Sequence, residues 1–70
     1  MNRNKELSML GSRIKSIRVR LGYTQIELAS VCGLNRNYIG MLERGERNPT
    51  YLTLVLLANR LKISLSEIIG

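Results

Sequence analysis

Chemistry in this chain must be done with a narrow set of side chains. Its only acids are five glutamates, and it has no histidine and no aspartate. A Ser-His-Asp or Cys-His nucleophile needs an imidazole, so neither is available. Histidine metal sites are excluded with them, and the one cysteine, Cys32, makes neither an internal disulfide nor a thiolate cage. No catalytic residue, no metal and no cofactor are expected. What the chain does possess is cationic hydrogen-bond donors: 11 Lys and Arg, for a net charge of +6. Charge of that size is enough, taken alone, for nonspecific nucleic-acid binding.

These donors must be positioned by a small fold. Seventy residues make one domain, residues 1–70, and 44 % hydrophobic content suits a folded chain rather than a polybasic tail. A chain this short buries only about 60 % of its unfolded surface, and oligomerisation is one remedy. No apolar run reaches the ~20 residues of a membrane span. Met1-Asn2-Arg3-Asn4-Lys5 leads into no long apolar segment, so a cytoplasmic protein without a secretory signal or membrane partner is expected.

Leu7, Leu10, Ile14, Ile17 and Leu21 recur at helical spacing and predict a first helix over about 7–21, closed by Gly22. Thr24-Gln25-Ile26-Glu27 is a capping box opening a second helix, about 24–32, with Leu28, Ala29 and Cys32 inward. Cys32 is read as a small core residue. After Gly33-Leu34, Asn35 caps a third helix, about 36–44, with Ile39 and Leu42 inward and Gly45 at its end. Thr50 caps a fourth helix running to Leu61. Ser64-Leu65-Ser66-Glu67 is a second capping box for a short fifth one. No stretch alternates like a strand. The fold class is all-α, a compact five-helix domain.

Two short helices joined by a tight turn containing glycine form a helix-turn-helix, whose second helix enters the DNA major groove. Thr24-Gln25-Ile26-Glu27-Leu28-Ala29, Gly33-Leu34-Asn35-Arg36-Asn37-Tyr38-Ile39 and Leu42-Glu43-Arg44-Gly45 resemble the Cro/phage-repressor type (Xre-like) helix-turn-helix family, over roughly residues 7–69. The runs 35–39 and 43–48 are most similar to controller proteins of restriction–modification systems. The resemblance implies a lambda-repressor-like DNA-binding fold and a set of site residues. Gln25, beside Thr24 at the start of helix two, would contact a phosphate and brace the recognition helix; free amides at a helix N-terminus favour an anion. Arg36 and Asn37 open helix three, where arginine suits guanine O6/N7 and asparagine suits adenine N6/N7. Tyr38 offers thymine-methyl contact or core packing. Gly40 costs ~1 kcal/mol against alanine inside a helix, which close approach to DNA or simple tolerance would explain. Met41 departs from the family's polar base reader and substitutes apolar contact. Arg47 and Asn48 fall in the loop where the family contacts phosphate or the minor groove, and Arg13 and Arg20 are candidates for flanking phosphates. Arg18 and Glu43 match positions that form a partly buried salt bridge in related phage repressors.

Helix four carries more apolar surface than one core face needs. Leu54, Leu57, Ala58 and Leu61 make a core stripe, leaving Leu52, Val55 and Leu56, to which Ile63, Leu65, Ile68 and Ile69 add. The resemblance implies dimerisation through these C-terminal helices; the bland alternative is that the domain covers helix four from both sides. The expected function is a homodimeric, sequence-specific, double-stranded DNA-binding transcriptional regulator on a palindromic operator, controlling a restriction–modification operon. It would block RNA polymerase or recruit it, with no small-molecule ligand. Alternatives are a phage-type repressor or an antitoxin-like module whose main partner is a protein.

Overall fold

The computed structural model describes residues 3–70 as five helices: α1 Arg3–Arg20, α2 Gln25–Cys32, α3 Arg36–Glu43, α4 Tyr51–Leu61 and α5 Leu65–Ile69. No strand occurs among the described residues. Helix α1 packs across α3 and α5, α2 packs on α3 and α4, and α5 closes against α4. Their inner faces meet in one core of Ile14, Ile17, Leu28, Ala29, Cys32, Ile39, Leu42, Leu57, Ala58, Leu61 and Ile68. No helix among the described residues is long and apolar enough to cross a membrane.

The caps explain where the helices start. The Thr24 hydroxyl accepts from the Glu27 N–H at 3.1 Å, and the Thr24 N–H donates to Glu27 Oε1 at 2.8 Å, so both arms of the capping box form. Asn35 Oδ1 accepts from the Asn37 N–H, and the Thr50 hydroxyl from the Thr53 N–H. Each satisfies an amide that has no partner inside the helix. The ends of α1 to α4 share one geometry, in which the chain turns through a left-handed residue. At α2, the Gly33 N–H donates to Ser30 and the Leu34 N–H to Ala29. At α4 that left-handed residue is Lys62, with φ 57°.

Three expectations need correction. Helix α1 begins at Arg3 rather than Leu7, because its first turns are polar and exposed and leave no mark on an apolar stripe. Leu21 lies beyond it in the turn and is 40 % exposed. The second capping box does not form. Ser64 makes no side-chain cap bond, its hydroxyl sits 3.0 Å from that of Ser66, and Glu67 is taken by Arg20 instead. Ile68 is only 1 % exposed, so it belongs to the core and not to an outer face; Ile63 and Leu65 are half-buried against that core.

Candidate nucleic-acid interface

The start of α2 and the outer face of α3 meet in a cleft of about 160 Å³, lined by Gln25, Arg36, Asn37, Gly40, Met41 and Arg44. Arg36 and Asn37 occupy the first turn of α3 and are exposed, because the Asn35 cap sets the helix start immediately before them. Tyr38, next along, is half-buried and packs against the core. Arginine, asparagine and glutamine donors, with no acid lining the cleft, make it a surface for anions and hydrogen-bond acceptors.

Behind the cleft lies a buried ion pair. Arg18 of α1 grips Glu43 of α3 with two bonds, Nε to Oε2 at 2.6 Å and Nη2 to Oε1 at 3.1 Å. Its remaining nitrogen, Nη1, donates to the Tyr23 carbonyl at 2.9 Å. Gln25 Nε2 donates to Glu43 Oε1 at 3.0 Å. One carboxylate thus ties α1, α2 and α3 together, and the side chains of the pair are 11 % and 3 % exposed. A carboxylate can only accept, so Gln25 must turn its amide nitrogen toward Glu43. That amide carries a second hydrogen, which remains for a partner in the cleft.

Gly40 is buried, and a methyl group there would come within 3.1 Å of Arg44 Nη1. An arginine head is a flexible neighbour, so the glycine is not demanded by packing. It also means that the Gly40 backbone, expected as a place of approach to bases, has the Arg44 side chain beside it. Arg47, in the loop after α3, reaches back to Met41, its Nε 3.4 Å from the sulfur. Loop and recognition helix therefore share one face, with Asn48 exposed beside Arg47.

Arg13 and Arg20 are placed elsewhere. Arg13 Nη1 donates to the Ile68 carbonyl at 3.3 Å, near the C-terminal, partly negative end of α5. Arg20 pairs with Glu67 at 3.0 Å. Both link α5 to α1, and the Arg20–Glu67 pair does so at the surface. Conversely, Arg44 lines the cleft although it is not among the residues expected at the site. It bonds Glu46 through Nε–Oε2 at 2.9 Å and Nη2–Oε1 at 3.2 Å, and these bonds hold the Glu46 carboxyl below its ordinary range. The spacing of Arg36, Gly40 and Arg44, one residue in four, is the signal that could have found it. Burial, partly offset by the charge of Arg60, pushes the Cys32 thiol up, which keeps it protonated and unreactive near neutrality.

Against known proteins, residues 14–68 match the helix-turn-helix family model HTH_3. The immunity repressor protein of Bacillus phage phi105 is 41 % identical over 61 residues, covering 87 % of this chain but 42 % of the repressor. The chain thus spans less than half the length of that relative. The restriction–modification controller protein C.AhdI from Aeromonas hydrophila superposes with a TM-score of 0.88 at 36 % identity, covering 91 % of this chain and 97 % of its own. The controller protein C.Esp1396I, solved as a tetramer in complex with its natural 35 base-pair operator, superposes at 0.78 and 36 % identity, over 93 % of this chain and 96 % of its own.

Proposed function

The chain belongs to the helix-turn-helix family, a family of DNA-binding transcription regulators, and from that premise we propose that it controls a restriction–modification operon as a homodimer on a palindromic operator. The observation that carries this reading is the cleft in which Gln25, Arg36 and Asn37 converge on the outer face of α3. Residues 1–70 act as a single DNA-binding domain in the cytoplasm. Arg36 and Asn37 read base edges, with Tyr38 and Met41 supplying apolar contact to thymine methyls. Gly40 lets the backbone approach once Arg44 moves aside. Thr24, Gln25, Arg47 and Asn48 hold phosphates and so set register and affinity.

The second copy docks on the outer side of α4 and α5. Leu52 is 75 % and Ile69 50 % exposed; Val55, Leu56, Ile63 and Leu65 are half-buried. A two-fold axis there would present two copies of α3 to half-sites about one helical turn, ~34 Å, apart. The mechanism is steric, without a chemical step or cofactor: occupancy blocks RNA polymerase, or at a second position recruits it.

Selection of bound duplexes from a random DNA pool at near-physiological salt tests the proposal. A palindromic motif with half-sites one turn apart is expected. Recovery of no motif, with binding that disappears as salt rises, would reduce the protein to a nonspecific binder and remove Arg36 and Asn37 as readers.

A further inference from the structure

Arg44 and Glu46 have no part in the contacts assigned above. Arg44 caps the C-terminal end of α3, and its guanidinium, though solvated, keeps to the surface of the helix. It folds back along the recognition face, over Gly40, and forms one wall of the cleft that holds Gln25, Arg36, Asn37 and Met41. Two nearly parallel bonds then engage Glu46, at 2.9 and 3.2 Å. Arginine presents that same fork to two oxygens of a phosphate. The Glu46 carboxylate therefore occupies the Nε–Nη2 fork of Arg44, while Nη1 is the nitrogen that lies over Gly40. The two side chains are 59 % and 53 % exposed, so the pair is solvated and readily exchanged, unlike the buried Arg18–Glu43 pair.

Resting on the DNA-binding reading above, we propose that Glu46 is an internal substitute for a DNA phosphate. It holds Arg44 over Gly40 in the unbound protein, and on binding Arg44 exchanges Glu46 for a backbone phosphate at the rim of the cleft. The exchange does two things at once. It delivers a contact that the unbound protein keeps occupied, and it uncovers Gly40 for close approach to the duplex. Glu46, left facing the DNA without its partner, then opposes binding and must recruit a cation. Glu46 thus sets a threshold on affinity, and it does so from the loop that also carries Arg47.

The charge accounting distinguishes this exchange from ordinary attraction. A cation that meets phosphate from solution releases a counterion, whereas one that abandons an internal carboxylate releases nothing net, because the carboxylate takes one up. Removing the carboxylate should therefore change the salt dependence as well as the affinity.

The test is a double-mutant cycle on the full chain, reading Kd by fluorescence anisotropy for a labelled duplex carrying the selected motif, across a salt series. Glu46→Gln is expected to tighten binding roughly two- to fivefold, the scale of an exposed ion pair. The slope of log K against log salt should steepen by up to about 0.9 for each half-site. Arg44→Gln should weaken binding, and in that background Glu46→Gln should add no more than roughly 1.5-fold. Melting temperatures of all four proteins serve as the folding control. A gain from Glu46→Gln that survives intact without Arg44 would mean general charge repulsion and would overturn the proposal, as would no gain at all. Wild-type protein that selects no motif overturns both readings; wild-type protein that selects one while Glu46 is inert overturns only this one.

Discussion

Two arginine–glutamate pairs lie within a few residues of each other, and their surroundings give them opposite roles. Arg18–Glu43 is almost wholly buried and serves three helices; Arg44–Glu46 is solvated and serves a local turn. Burial decides what loss of a partner costs, since a stranded charge can be rehydrated only at the surface. Glu43→Ala is expected to lower stability by about 3 kcal/mol, seen as a fall in melting temperature, because Arg18 is left buried and unpaired. The same substitution releases the Gln25 amide, so DNA affinity should fall further than unfolding alone explains. An unchanged melting curve would return Arg18 and Glu43 to the status of independent surface charges.

At the level of helices, two glycines inside α1 and α3 make a contrast that spacing alone hides. A methyl group on Gly11 would lie 2.3 Å from the Leu42 carbonyl oxygen and 2.6 Å from that of Glu43. Both are backbone atoms and cannot step aside, so Gly11 is what lets α1 cross close over the end of α3. At Gly40 the only close neighbour is a movable guanidinium. Gly11→Ala is therefore expected to destabilise by about 1–3 kcal/mol or more, as the helices are forced apart. Gly40→Ala should stabilise by up to ~1 kcal/mol through helix propensity while weakening DNA binding. Thermal denaturation of the two variants side by side checks the opposite signs. A loss of stability at Gly40 would show that the position is packed rather than kept open for a ligand.

For the whole molecule, the question is which surface the fold leaves over once its core is made. With Ile68 turned inward, the outer face of α4 and α5 retains Leu52 and Ile69 as its exposed apolar side chains, flanked by Val55 and Leu56. Tyr51 is exposed beside them at 67 %. Arg13 and Arg20 link α5, which carries part of that face, to α1. Leu52→Glu is expected to weaken self-association at least ~tenfold, measured by sedimentation equilibrium, with helical content unchanged. Operator binding should then need correspondingly more protein. An unaltered association constant would move the dimer contact off α4.

Much of this architecture could be read along the chain because its causes are local. Thr24, Asn35 and Thr50 act as caps, since each needs only an amide two or three residues on. The inward sets of α2 and α3 follow from helical period, and the exposure of Arg36 and Asn37 from the cap that precedes them. The partners of long side chains are another matter. Ser64 has the pattern of a capping box, but the glutamate it needs, Glu67, is held by Arg20, 47 residues before that glutamate. Arg13 reaches a carbonyl of α5, 55 residues along the chain, which its charge alone does not announce. A cation can reach any acceptor that packing brings near, and chain distance does not say which. Local pattern along the chain is enough for five helices, the caps of α2 to α4, the inward faces of α2 and α3, and the turn between those two helices. That Gly11 is a crossing point, that Ile68 is core, and which glutamate holds which arginine emerge once the helices pack together. Those outcomes depend on where separate helices meet, and no window of a few turns contains that information.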